Sequence, residues 1–494
     1  MEMSLKKTHD ANTENDGFED ASLLISQSAN GRRHNEQEIA PLLTFYSRNS
    51  MSEPLLSDED EEGITDGLKS TSSPLTFKSR CGAVQSCFGT DAHYYQNEKG
   101  ERRAICYCFS RRKTCLLMCI LSILMVLLSF FILSLVYFSP VSLPIDFVDK
   151  SLTHTPRLLT LNIFMRPPGI KNNDNDYKNM RLKYIIHNIL PFYDIIAIQE
   201  AFAFANRRID QLRIAAFKQG FHYQVSSPRH YPWDLAGDGG LLILSRFPII
   251  KSDIIEFPRG VHSDWLSYKG ALHALVQLNE TSIHVYTTHT QASYDNGGKL
   301  NFDDTKVRLS QFALVHDFIF QTAKNDNHSI LLMGDLNVDA AVHDGSPIDA
   351  TSVNSSLPYT MMMDVLKGKG TDLNLITNTS SNQKQIQYES TWLLTNLTDV
   401  VYDTFGYHPV TFGDYRRLDN GTLIPSETIL TSHNQLLTVQ SIDRILWSDN
   451  RDHNTTSIRP CNVTIEPFFV DKSLLLPFTQ VSDHYGLSAS LCRN

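Results

Sequence analysis

Residues 114–138 read TCLLMCILSILMVLLSFFILSLVYF, without a charge, Pro or Gly. As a helix this run reaches about 37 Å, enough to cross a bilayer with some tilt. Residues 1–113 before it are rich in Ser, Asn, Asp, Glu and Gly and show no sustained helical or strand period, the pattern of a disordered tail. Beyond a linker at 139–155 the pattern changes. Short apolar runs recur through 156–494: RLLTLNIF, DIIAIQE, GGLLILSRFPII, ALHALVQL, SIHVYTTHT, HSILLMGDLN, SIDRILW and HYGLSASL. Each has the length of a strand. Two segments, MRLKYIIHNILPF at 180–192 and KVRLSQFALVHDFIFQTA at 306–323, instead repeat apolar residues every three or four positions, which predicts helices. Strands with interspersed helices predict an α+β domain of layered αββα type. Residues 341–440 are polar and rich in turn residues, and are expected to form an insertion or lid.

Flanking charge sets an orientation for the span. Arg102, Arg103, Arg111, Arg112 and Lys113 precede it, whereas the first basic residue after it is Lys150. The positive-inside rule then predicts a single-pass type II membrane protein whose tail is cytoplasmic and whose large domain is lumenal or extracellular. Eight N-x-S/T sequons agree, at Asn279, Asn327, Asn354, Asn378, Asn396, Asn420, Asn454 and Asn462, all beyond the span. Only Cys461 and Cys492 lie beyond it too, and in an oxidising compartment they are expected to pair. Cys106, Cys108, Cys115 and Cys119 sit at or in the cytoplasmic end of the span and are candidate acylation sites. In the tail, Glu19-Asp20-Ala21-Ser22-Leu23-Leu24 and Glu38-Ile39-Ala40-Pro41-Leu42-Leu43 place an acidic residue four positions before a Leu pair. They resemble sorting signals read by clathrin adaptors, which adds endolysosomal membranes to the Golgi and plasma membrane as expected addresses.

A formal net charge of −10 argues against a nucleic-acid partner, because binding to phosphates needs a concentrated positive field. What ends the apolar runs is more informative. LLTLNIF carries Asn162, IIAIQE ends in Glu200, YTTHT carries His289, MGDLN carries Asp335 and Asn337, SIDRI carries Asp443, and SDHYG carries Asp483 and His484. Singly, each is an ordinary strand-end residue. Together they suit metal-assisted hydrolysis of a phosphate ester. Glu200, Asn162 and Asp483 supply hard oxygen ligands appropriate to Mg²⁺ or Mn²⁺, and no His-x₃-His or Cys-rich set points to zinc. Asp443 can hold the His484 imidazole in the tautomer that accepts a water proton, with Asp335 and Asn337 orienting that water or the transition state.

The ordered motifs LNI, IQE, GDLN, SIDRI and SDHYG resemble those of the endonuclease/exonuclease/phosphatase superfamily, across about residues 157–491. That resemblance implies a four-layered α/β sandwich with its site at one end of two packed sheets. It makes Glu200 the main Mg²⁺ ligand with Asn162 nearby, His484 the general base with Asp443 its partner, Asp335 and Asn337 the positioning groups, and His289 a contact to phosphate or leaving group. Substrate does not follow from fold. Within VHSDWLSYKGALHALVQL at 261–278, Asp264 and Lys269 resemble the Asp-to-Lys element of neutral sphingomyelinases, where the Lys can stabilise charge developing on phosphate or leaving oxygen. A membrane-tethered sphingomyelin phosphodiesterase is therefore the expected activity. The alternatives are a lipid phosphodiesterase for another headgroup, a nuclease using Arg207, Arg208 and Arg213 as its basic surface, and a catalytically silent scaffold.

Overall fold

The computed structural model describes residues 94–96, 102–104, 108–144, 155–279, 281–293, 300–343, 352–377, 384–449 and 457–493. The Leu23-Leu24 and Leu42-Leu43 signals, and the sequons at Asn378 and Asn454, lie outside the described residues. Helix α1, Cys108–Phe138, carries the apolar span. From Lys113 to Phe138 it is long and apolar enough to cross a membrane, and its most apolar window is not buried against protein. A soluble domain would hide such a surface; this helix presents it outward.

The large domain opens with strand β1, Arg157–Met165, and continues through α2, Lys178–Asn188; β2, Ile195–Ala201; α3, Arg208–Lys218; β3, Tyr223–Ser226; β4, Leu242–Ser245; β5, Ile249–Glu256; β6, Gly270–Leu278; and β7, Thr281–His289. It goes on with α4, Phe302–Ala323; β8, Ser329–Asp335; α5, Leu357–Leu366; β9, Thr398–Asp399; β10, Asp443–Ser448; β11, Ile458–Glu466; and β12, Gly486–Arg493. These strands make two six-stranded sheets, in the orders β9-β10-β8-β7-β6-β5 and β11-β12-β1-β2-β4-β3. Each sheet is antiparallel except for one pair, β1 beside β2 and β7 beside β8. A parallel pair needs a long crossover, and α2 and α4 supply the two.

Period-two alternation sorts the side chains. In β8, Leu331 and Met333 join Leu158, Ile195, Ile243 and Val285 in a core between the sheets. Ile330 and Leu332, on the other face, pack with Phe312, Val315 and Ile319 of α4. On the second sheet, Leu159, Leu161, Ile196 and Ile198 pack with Leu182, Ile185 and Leu212 of α2 and α3. The packing order is thus helices, sheet, sheet, helices. Because both faces of each sheet are covered, β8 reads as a nearly unbroken apolar run. Cys461 of β11 and Cys492 of β12 form the expected disulfide, with Cα atoms 5.9 Å apart.

Residues 341–440 divide into two parts. Helix α5 is capped by Ser356, which accepts from Tyr359 N, and its Met361, Met362, Val365 and Leu366 sit in the core against α4. Val400 and Val401 of the short helix Val400–Phe405 enter the core between the sheets. This half is framework rather than a lid. The later half is different: Phe412, Gln435 and Gln440 line a cleft at the end of the sheets.

Two buried histidines link two half-buried carboxylates across the first sheet. His273 Nδ1 lies 3.1 Å from Asp253, its Nε2 lies 2.8 Å from His284 Nδ1, and His284 Nε2 lies 2.9 Å from Asp326. Burial, aided by the neighbouring His284, holds His273 down at about 4, and burial lowers His284 too. The unfolded chain takes up a proton on each ring near pH 6.5. Between pH 6.5 and about 4 the unfolded state therefore binds more protons, and stability falls as pH falls through that window. For His273 alone the loss is about 3 kcal/mol. Urea unfolding at pH 7.5 and 4.5 should show this decline, and His273→Phe should remove part of it. An identical decline in the variant would refute the assignment.

Candidate active site

The site gathers where the two parallel strand pairs end. Asn162 lies at the end of the regular part of β1, where a bulge between Asn162 and Met165 breaks the register with β2. In the first sheet, Asp335 at the end of β8 pairs in register with His289 of β7 on one side and Asp443 of β10 on the other. Three non-glycine residues here have left-handed backbone: Phe164 at φ 50°, Glu200 at 52° and Asn337 at 50°. Such positions cost about 1–3 kcal/mol each and concentrate at functional sites. They turn the chain at the strand ends, so that side chains which would alternate across a sheet gather in one cleft.

Asp335 is the centre of the cluster. Its Oδ2 accepts from Asn162 Nδ2 at 3.0 Å and lies 3.5 Å from His289 Nε2 and 3.7 Å from His484 Nε2, so the two imidazoles flank it. His484 Nδ1 lies 2.9 Å from Asp443 Oδ2. Lys269 Nζ is 3.3 Å from the same His289 Nε2 and 2.7 Å from Asp264 Oδ2, and it donates to Thr290 O at 2.6 Å. Asn337 Nδ2 donates to the same carbonyl at 3.1 Å. Asn162 also reaches Glu200 Oε1 at 3.2 Å. Its own oxygen accepts from Phe164 N at 3.0 Å, and the residue is fully buried behind the cleft wall. The cleft, about 470 Å³ in volume, is lined by Glu200, Asp264, Lys269, His289, Asp335, Asn337, Asp483 and His484.

Charge is crowded here. Burial raises Asp335 to about 6 and, with Glu200 nearby, Asp483 to about 7. Burial presses the His484 ring down, but the Asp443, Asp335 and Asp483 carboxylates outweigh it and hold the imidazole up at about 10. His289 is driven well below its ordinary value by burial and then by Lys269 and His484, so it is neutral. Glu200 Oε2 and Asp443 Oδ1 are buried without a hydrogen-bond partner. Ligand atoms of Asp335, Asp443 and His484 all lie within 4.8 Å of one another. Orphaned carboxylate oxygens among raised carboxyl groups fit a divalent cation bound through hard oxygen donors. Glu200 and Asp483, the ligands expected from sequence, line the same cleft as Asp335.

The sequence model of the Endonuclease/Exonuclease/phosphatase family matches residues 159–484, more than half of the chain. The chain belongs to that family. Membership makes it a phosphodiester hydrolase. Among its relatives, a sphingomyelinase of Dictyostelium discoideum is 28% identical over 477 residues, covering 69% of this chain and 99% of its own length. A sphingomyelinase C of Bacillus cereus is 34% identical over 102 residues, 21% of this chain and 30% of its own. Of solved structures, sphingomyelinase C from Streptomyces griseocarneus is similar at a TM-score of 0.44 and 20% identity, over 68% of this chain and 99% of that one.

Two arginines escaped the reading of the sequence. Arg181 of α2 is fully buried and donates to Ile163 O, Phe164 O and Val481 O at 2.7–2.9 Å, tying the end of β1 to the loop that carries Asp483 and His484. Its helix reads as simply amphipathic, which hid it. Arg166 lines the cleft, stacks 4.0 Å over the Phe164 ring and is among the charges holding Asp483 down. A cation four residues past Asn162 was its signal. By contrast, Arg207 pairs with Asp210, Arg208 donates to Arg166 O and Arg213 to Gln224. None of the three lines the cleft, whose basic residues are Arg166 and Lys269.

Gly334 marks how closely the strands approach. Its φ is +153°, and a Cβ there would lie 2.2 Å from Thr288 O. Gly334→Ala should push β8 from β7, destabilise the domain by about 2–4 kcal/mol and abolish turnover by parting Asp335 from His289. Thermal melting and a crystal structure of the variant check this; an unshifted melting temperature would contradict the close approach.

Proposed function

We propose that this protein is a membrane-tethered, Mg²⁺-dependent sphingomyelin phosphodiesterase, which takes sphingomyelin and water to ceramide and phosphocholine. The observation that carries the substrate is the Asp264–Lys269 ion pair, at 2.7 Å, held inside the cleft beside His289, with Trp265 and Leu266 of the same segment exposed at 60% and 51%. A charged pair deep in the cleft under an apolar rim suits a phosphodiester drawn from a lipid surface. The Dictyostelium relative, a sphingomyelinase by name and alignable over nearly its whole length, supports the same substrate.

His484 Nε2 faces the cleft with its Nδ1 on Asp443; a cation bound among the carboxylates that hold its proton would offset their charge and free the ring to be neutral, and in that form it takes the proton of a water whose oxygen attacks phosphorus. Asp443 fixes the tautomer and stabilises the imidazolium that forms. Lys269 and neutral His289 lie across Asp335 from His484, where the leaving alkoxide of in-line displacement emerges. As the bond from phosphorus to the ceramide oxygen breaks, Lys269 stabilises the charge there, with Asp264 setting its position. Asn337, anchored on Thr290 O, and Asn162 hold the phosphate in line. A divalent cation held by Glu200, Asp483 and Asp335 supplies, when bound, charge compensation for carboxylates and phosphate oxygens. Apart from that cation, every step belongs to the chain's own side chains.

Topology belongs to the same proposal. With α1 in the bilayer and the basic residues before it on the cytosolic side, the catalytic domain is lumenal or extracellular. The six described sequon residues, Asn279, Asn327, Asn354, Asn396, Asn420 and Asn462, are all exposed, and the Cys461–Cys492 disulfide fits an oxidising compartment. Clathrin adaptors remain proposed partners of Leu23-Leu24 and Leu42-Leu43.

Full-length protein in detergent micelles, given choline-labelled sphingomyelin, phosphatidylcholine or DNA, tests the reading. Phosphocholine should be released from sphingomyelin with Mg²⁺ or Mn²⁺ and not with chelator. His484→Ala should lower kcat by about 10²–10⁴-fold and Lys269→Met by about 10²–10³-fold. DNA cleavage without lipid turnover would instead establish the nuclease alternative.

A further inference from the structure

The junction between α1 and the catalytic domain is built, not loose. The last four carbonyls of a helix lack partners inside it and gather partial negative charge. Here two arginines of the catalytic domain take them: Arg207 Nη1 donates to Tyr137 O and to Ser139 O, the latter at 2.9 Å, and Arg229 Nη1 donates to Phe138 O at 3.1 Å. Between them sits Asp210, 1% exposed, ion-paired to Arg207 Nε at 3.1 Å and to Arg229, and accepting from Val141 N at 3.4 Å. Aromatic rings extend the contact down the helix. Phe138 meets Tyr231 edge-on at 5.3 Å, and Phe131 meets Trp233 at 4.8 Å.

Depth follows from helix geometry. Phe131 lies seven residues, or about 10 Å, before the end of the span at Phe138. A 26-residue span is about 39 Å long against a hydrocarbon core of about 30 Å, so each end overhangs by about 4–5 Å. Phe131, and Trp233 beside it, therefore fall roughly 5 Å inside the edge of that core. Trp233 and its neighbour Leu235 are 72% and 78% exposed, which makes no sense in water beside a bilayer and good sense in its interface. The same loop runs to the cleft: Gly237 N donates to Leu266 O at 2.7 Å and accepts at its carbonyl from Tyr268 N at 3.0 Å, and Gly237 and Leu266 both line the cleft.

We propose that the Arg207–Asp210–Arg229 clamp welds the catalytic domain to the end of its own membrane helix, immersing Trp233 and Leu235 in that bilayer and seating the cleft at its surface. The enzyme then draws substrate from the membrane it is anchored in. This rests on the reading of α1 as a membrane span, but not on which headgroup is cleaved.

Full-length protein in phosphatidylcholine vesicles without sphingomyelin tests the immersion with no turnover involved. Comparing wild type with Trp233→Phe isolates the Trp233 fluorescence. Lipids brominated near the headgroup should quench it and aqueous iodide should not; quenching by iodide alone overturns the proposal. In Arg207→Ala/Arg229→Ala the pattern should reverse. Hydrolysis of sphingomyelin in the enzyme's own vesicle should then fall about tenfold or more, with hydrolysis of a water-soluble phosphodiester unchanged. Trp233→Ser/Leu235→Ser, which leaves the clamp intact, should lower own-vesicle hydrolysis alone and guards against misfolding of the arginine variant. Equal activity of both variants on their own vesicles overturns the proposal. Resistance to carbonate extraction reports separately on whether α1 spans, and soluble-substrate turnover separately on the chemistry.

Discussion

Everything at the site depends on how the two sheets meet at one end. The hydrogen bond from Asn162 Nδ2 to Asp335 Oδ2 joins residues 173 apart in sequence and on different sheets. His484, which leads into β12, reaches Asp443 of β10, so this pair also straddles the boundary. Just beneath, Gln199 Nε2 of β2 donates to Thr287 Oγ1 of β7 at 2.9 Å and to Thr160 Oγ1 at 3.1 Å, all three side chains buried. A polar group in an apolar core costs free energy unless it is paired, so this bridge is satisfied in only one register of sheet on sheet. Neither sheet holds a site by itself. Glu200, Asp483 and His484 come with the second, and Asp335, Asp443, His289 and Lys269 with the first.

That arrangement explains the charge. Bringing carboxylates from two sheets into one dry pocket is repulsive, and the protein offsets it only in part. Asn162 spreads a neutral amide between Glu200 and Asp335, Arg166 stands near Asp483, and His484 keeps its proton. Lys269, beside His289, is committed to Asp264 and Thr290 O. Glu200 Oε2 and Asp443 Oδ1 still lack partners. A pocket so composed attracts one more cation, and the phosphate it carries, more strongly than a neutral pocket of the same shape would.

Much of this was legible in the sequence because it lies on strands. The short apolar runs in LLTLNIF and HSILLMGDLN mark strands covered on both faces, and the polar residues that close each run are those the fold brings together. Helix α4 was legible from its period of three to four. What was hidden depends on contacts distant in sequence. Arg181 sits on an unremarkable amphipathic helix, and its value lies in carbonyls of β1 and residue 481. Helix α5 was hidden by polar flanks, so in a stretch expected to be an insertion or lid the part that joins the core was not distinguished from the part that lines the cleft. For Asn162, sequence specifies an amide but not its partners; the Phe164 N–H takes its oxygen locally, and Asp335 and Glu200 take its nitrogen from afar.

The two sides of the cleft are built differently, and this bears on specificity. The chemistry stands on strand ends, and Lys269 belongs with it: it directly precedes β6 and is fastened to the residue after β7. Group transfer to water is thus tied to the rigid frame. The opposite wall, with Phe412, Gln435 and Gln440, comes from short hairpins and turns of 411–440. Replacing such segments does not disturb a core, which is how one framework serves many substrates. On the proposed reading, contacts to the headgroup fall to the wall from 411–440, and contacts to the lipid surface to Leu266 and the loop from Tyr231 beside the helix end. Separate elements make the two sets of contacts, so either can change without altering the hydrolytic machinery.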